Sequence, residues 1–173
     1  MAEMNEEQAR IRGYLHSQAA KLSPPELMAK VRADMAQLED AVTAAGRVDA
    51  TRRPGESDWS VNEVLAHIVD SSGRVNSAIR SAVEDGTKPA PLGDAITATA
   101  IAKAPRQWFE QLRDERDGLF RRLERATGSE HLDVAWKHPM FGDLNWREWL
   151  LFLRIHDLDH ARQLQGIVAT LQA

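Results

Sequence analysis

The chain has 173 residues, 43% of them apolar, a net charge of −4 and no cysteine. That length suits one domain with a core that needs no covalent staples, and the mild acidity without a basic block argues against a nucleic-acid partner. Without cysteine there are no disulfides, thiolate metal sites, iron–sulfur clusters or cysteine nucleophiles; a transition metal would rest on imidazole, carboxylate and water, and a thiol could enter only as a substrate.

The N-terminal "MAEMNEEQAR" is acidic where a secretory signal would carry positive charge and then an apolar stretch. The richest apolar run, "WLLFLRI" at 149–155, falls far short of the ~18 residues of a membrane span. These features predict a cytoplasmic protein with no membrane partner.

Helix signals run through most of the chain. An amphipathic stretch from about Asn5 to Lys21 comes first. "SPPEL" then offers Ser23 as an N-cap and proline for the first turn of a helix running from about Pro25 to Ala45. Its apolar residues Leu27, Met28, Val31, Met35, Leu38 and Val42 recur at helical spacing, and Gly46 is placed to end it. After a polar loop, about Arg47 to Trp59, Ser60 and Glu63 form an S-x-x-E capping box. The helix it opens should continue to about Glu84, roughly 37 Å, before Gly86.

"GTKPAPLGD" reads as a loop, followed by a short helix at about 94–102. Pro105 opens another helix that should reach about Ala126, with Gly118 weakening but not stopping it. "TGSEHLDVAWKHPMFGD" reads as a second loop. The last helix starts at Asn145, with Glu148 three residues on, and runs to about Thr170. No long period-2 alternation and no Asn-Gly turn mark a strand. The prediction is an all-α protein, a four-helix bundle with an extra N-terminal helix, 1–22, packed on a single domain.

Two of the six histidines, His156 and His160, stand four residues apart in "LRIHDLDHARQL". They share one helix face, where two imidazoles can grip a divalent ion. The other reading is two unrelated polar residues. The stretch is H-D-L-D-H rather than the zincin H-E-x-x-H, and "ARQLQGIVATLQA" holds no downstream ligand, which excludes that protease class. A third ligand must come from upstream. His16 is read as exposed on the first helix, and His131 and His138 as loop residues. His67 lies in "EVLAHIVD", with Glu63, Val64, Asp70 and Ser71 at helical spacing. Its face is polar where a core face would be apolar, and it could equally be a helix edge turned to water.

"GESDWSVNEVLAHIVDSS" and "HPMFGDLNWREWLLFLRIHDLDHARQL" resemble the second-helix and last-helix signatures of the DinB/YfiT-like superfamily. The resemblance covers nearly the whole chain. It implies an up-down-down-up four-helix bundle and a divalent metal, Zn²⁺ or Ni²⁺, on His67, His156 and His160. It also implies a thiol-dependent S-transferase, in which a low-molecular-weight thiol activated on the metal attacks an electrophilic substrate, and often a homodimer. A hydrolase using water on the same metal, or a non-catalytic stress-associated bundle, are the alternatives. Three imidazoles leave the ion its full charge and an open position, as catalytic sites do. Helical spacing adds Glu63 and Asp70 on the face of His67, Arg74 two turns on as an anion binder, and Gln163 on the face of His156 and His160; each could instead be a solvated or packing residue. No side chain stands out as a general base.

Overall fold

The structure is a computed structural model, and it describes residues 5–90 and 101–173. Among these residues five helices and a hairpin follow one another: α1 (Glu6–Lys21), α2 (Pro24–Ala45), α3 (Val61–Asp85), α4 (Pro105–Leu123), β1 (Ala135–His138), β2 (Gly142–Asn145) and α5 (Trp146–Gln172). The four long helices form the bundle, with α1 as the extra helix.

Side-chain caps fix where these helices begin. Asn5 Oδ1 accepts from Gln8 N at 2.8 Å, and the Glu26 carboxylate reaches back to Ser23 N at 2.7 Å. At the head of α3, Ser60 Oγ accepts from Glu63 N at 3.2 Å while Glu63 Oε2 accepts from Ser60 N at 2.8 Å. Asn145 and Glu148 repeat that box on α5. Each cap satisfies backbone N–H groups that the first helical turn leaves without partners. Gly86 ends α3 at φ +62°, and a Cβ there would stand 2.6 Å from His131 Nδ1, so both backbone and space call for glycine. Gly46 also closes its helix, but from the right-handed region.

Contacts set the directions of the helices. Arg147 Nη2 donates to the Leu22 carbonyl and Arg154 Nε to Asp34, so α2 and α5 run parallel. Trp108 Nε1 donates to Asn62 at 2.8 Å and Arg122 Nη1 to Glu84 at 2.9 Å, so α3 and α4 are also parallel. Arg106 Nη1 meets Glu39 at 2.5 Å, which sets α4 against α2. The path is up-down-down-up. Neighbours round the bundle run α2, α5, α3, α4 and back to α2, leaving α2 and α3 on one diagonal and α4 and α5 on the other.

The core forms two apolar clusters. One, around Leu150, Trp149 and Phe120, joins α1 and the hairpin to the bundle; the other, around Leu38, Ile68 and Leu164, fills the opposite end. Between them lies a polar layer. Arg116 and Asp157, both wholly buried, pair across the α4–α5 diagonal at 3.0 Å, and Arg116 Nη2 also reaches Ser72 Oγ at 3.0 Å.

The hairpin corrects the reading of 127–143 as loop without strands. Ala135 to His138 pair antiparallel with Asn145 to Gly142. Trp136 and Leu144 face inward, whereas Lys137 opposite Asp143 is exposed. Four-residue strands are too short to show alternation, and the turn uses 139–141 with Gly142 at φ +74° in place of Asn-Gly. α4 stops at Leu123, short of Ala126. The short helix expected at 94–102 falls, but for its last two residues, outside the described chain; 101–104 are coil. No described helix is long and apolar enough to cross a membrane.

Candidate metal centre

α3 and α5 lie side by side and antiparallel, which brings residues 89 positions apart in sequence into contact. His67, in the second turn of α3, meets His156 and His160 on α5. One ring nitrogen from each lies within 4.8 Å of the other two, and among the described residues this is the one cluster of three metal-ligating groups. Ring centroids are 5.4 Å apart for His67 and His156, 4.9 Å for His67 and His160, and 4.4 Å for His156 and His160. His156 Nε2 and His67 Nε2 are 3.4 Å apart. Two imidazole nitrogens each ~2.0–2.1 Å from a tetrahedral ion would sit about that far from one another. The residues therefore fit a divalent cation.

Each ring is oriented by something different. His160 Nδ1 pairs with Gln163 Oε1 at 2.7 Å, so Nδ1 carries the proton and Nε2 keeps its lone pair. Trp59, just before the α3 cap, packs edge-on against His67 at 5.1 Å. His156 is held by packing: Phe152 lies 5.8 Å away, and its fully buried Nδ1 has no partner among the described residues. Ser71 Oγ donates to the His67 carbonyl at 2.7 Å and lies 3.3 Å from His156 Nε2, adding an oxygen beside the triad. Burial, helped by the neighbouring His160, His67 and Arg116, pushes the His156 pKa well below its ordinary value. The ring is thus neutral, as a metal ligand must be.

The other predicted neighbours divide. Gln163 touches the triad. Glu63 does not serve as an imidazole partner: Arg53 grips both of its oxygens, Ser60 donates to one, and chiefly the Arg53 hydrogen bonds hold its pKa at about 2. Asp70 and Arg74 pair with each other at 2.7 Å on the helix surface, so Arg74 carries a counter-charge of its own there. Asp157, adjacent to His156 in sequence, points away into the core. Burial raises its carboxyl pKa, and the Arg116 guanidinium opposes that rise. His16 is exposed, as read, and pairs with Glu148 at 2.8 Å.

Two residues beside the site, Trp59 and Arg116, carry no local signal of that place, and His138 is legible only as part of a loop that could wall a pocket. Trp59 ends the polar loop before the α3 cap. Arg116 sat in the charged run "RDERD" with nothing to mark it as buried. His138, read as a loop residue, is 4% exposed, with Nδ1 accepting from Met140 N at 3.1 Å and Phe141 N at 3.3 Å. Burial lowers its pKa to about 4. Its packing against Trp149 and Phe152 sets it close to His156.

Residues 27–164, and with them all three histidines, match the family model of the DinB superfamily. This chain is a member of the DinB superfamily. The DinB match begins inside α2, so α1 lies outside it. The uncharacterized protein YuaE of Bacillus subtilis (strain 168) is 25% identical over 131 residues, covering 67% of this DinB chain and 81% of YuaE. The solved structure of YfiT from Bacillus subtilis superposes with a TM-score of 0.55 at 16% identity, covering 96% of this chain and 90% of YfiT. YfiT is described as a probable metal-dependent hydrolase with an unusual four-helix bundle topology. That likeness establishes the shared bundle fold.

Proposed function

We propose that this DinB protein is a metal-dependent enzyme whose divalent cation, Zn²⁺ or Ni²⁺, is held by His67, His156 and His160. The convergence of three imidazoles from two helices, with Nε2 of His67 and His156 3.4 Å apart, carries the reading. A cation on three neutral ligands keeps its full charge and lowers the pKa of a water or thiol that binds it.

Three of the nearby carboxylates are already engaged, which favours a thiol. Glu63 is committed to Arg53, Asp70 to Arg74 and Asp157 to Arg116, so none of the three is placed as a base for water. A thiol is acidic enough to need none. With no cysteine in the chain, the thiol is a small cosubstrate, and the reaction is S-transfer to an electrophilic small molecule. Gln163 fixes the His160 tautomer, Trp59 braces His67, and the Ser71 oxygen offers a polar contact to whatever approaches His156. The second reading is a hydrolase, favoured by the description of YfiT.

Metal analysis of the purified chain and two parallel assays test this. Zinc or nickel at one equivalent, lost in His160→Ala, is expected. So is thiol-dependent consumption of a chromogenic electrophile that exceeds thiol-free ester hydrolysis. The reverse ratio selects the hydrolase. A full complement of metal without either turnover selects a non-catalytic bundle, and absence of metal uptake ends the proposal.

A further inference from the structure

We propose that α1 and the hairpin tip form a binding cleft for an apolar, aromatic-sized group of the substrate, seated so that its reactive end reaches the histidine triad. The proposal rests on the metal-centre reading for its orientation but not for the existence of the cleft.

The cleft has a volume of about 530 Å³, within the ~300–1,000 Å³ of small-molecule sites. Ile11 and Tyr14 of α1 form one wall, Met140 and Phe141 of the hairpin tip another, and Phe152 and His156 of α5 the inner side. His156 therefore belongs to both the cleft and the triad. At the rim Glu7, Asp159 and Arg162 carry opposing charges, which select neither an anion nor a cation. The walls recognise an uncharged apolar group, and the volume suits a small molecule with a single ring or a short acyl chain.

Both walls are anchored. Arg154 donates from Nη1 to Tyr14 Oη and from Nε to Asp34, tying α1 to α5 and α2. His16 and Glu148 make a second tie. At the tip, His138 Nδ1 accepts both the Met140 and Phe141 N–H groups, and its ring stacks on Phe141 at 4.5 Å. A pre-formed apolar wall costs little to order on binding. Because α1 lies outside the DinB match, half of this wall belongs to a part of the chain that the family model does not describe.

Two hydroxamates and a neutral naphthylamine dye test the cleft. On the zinc-loaded chain, benzohydroxamate should bind at least about tenfold tighter than acetohydroxamate, since its ring buries apolar area. Ile11→Asp and Met140→Asp, at a half-buried and an exposed position, should erase that ratio and leave acetohydroxamate affinity and zinc stoichiometry unchanged. On the metal-free chain the dye should bind one site and weaken at least about tenfold in both variants. Equal affinity for the two hydroxamates, or dye binding indifferent to both substitutions, overturns the cleft while the metal reading stands. Failure to take up zinc, with dye binding that responds to both variants, overturns the metal reading while the cleft stands. Self-association abolished by Met140→Asp, with no dye bound, would assign the face to a second copy of the chain instead.

Discussion

Asp157 and His156 are neighbours in sequence, yet they belong to two polar groupings of opposite character. Asp157 meets Arg116 in a fork with both groups fully buried, a pair that is electrically complete in itself. His156 meets His67 and His160, three imidazoles gathered from two helices with no carboxylate in the cluster among the described residues. The 100° that separates consecutive residues on a helix sends one side chain into the bundle interior and the other to the α3–α5 seam. A complete pair serves the fold; a cluster of imidazole lone pairs invites a cation.

Breaking the complete grouping should have the largest effect. Arg116→Leu strands Asp157 in the core and should cost about 3–5 kcal/mol in urea unfolding. Arg116→Leu combined with Asp157→Leu should recover most of that loss, because a buried pair replaced by apolar groups is often close to neutral. If the double variant is as unstable as the single, the layer holds the fold by more than the pair.

Acid should reveal an intermediate case, His138, which is buried like the pair but alone in an aromatic setting. Its pKa falls from 6.5 in the unfolded chain to about 4 in the fold. The unfolded state binds more protons between those values, so stability is full above about pH 6.5 and declines as pH drops toward 4. The decline is about 3 kcal/mol. The lowered His156 acts in the same direction. His138→Gln should flatten part of that slope in unfolding measured across the window; an unchanged slope would assign all of it to His156.

The imidazole grouping should respond to metal instead. Zinc at ~100 times its Kd should stabilise the chain by about 2.7 kcal/mol, and His160→Ala should remove this increment with little change in metal-free stability. Gln163→Ala, which frees the His160 ring, should weaken zinc by about 10–100-fold in competition with a chelator, the smallest effect of the series.

The helices were legible because their information is local. Ser60 with Glu63, and Asn145 with Glu148, mark starts that the caps then occupy. The apolar spacing of α2 and the Gly86 stop needed no partner to be seen. The one-turn relation of His156 and His160 was equally local, whereas His67 as their companion came through resemblance to a family. The hairpin was not legible: each strand has four residues, and its stability comes from Trp136 lying stacked on Trp149 at 5.5 Å, a contact with another element.

Helix capping and periodicity thus determined the number, type and starts of the long helices, since each depends on residues three or four positions apart. Tertiary structure alone decided which way Glu63 turned, that Arg116 in a charged run would be buried, and that α3 would face α5 so as to bring His67 to the C-terminal pair. Those outcomes depend on what stands opposite a side chain, and the choice among competing partners is made only when the bundle closes.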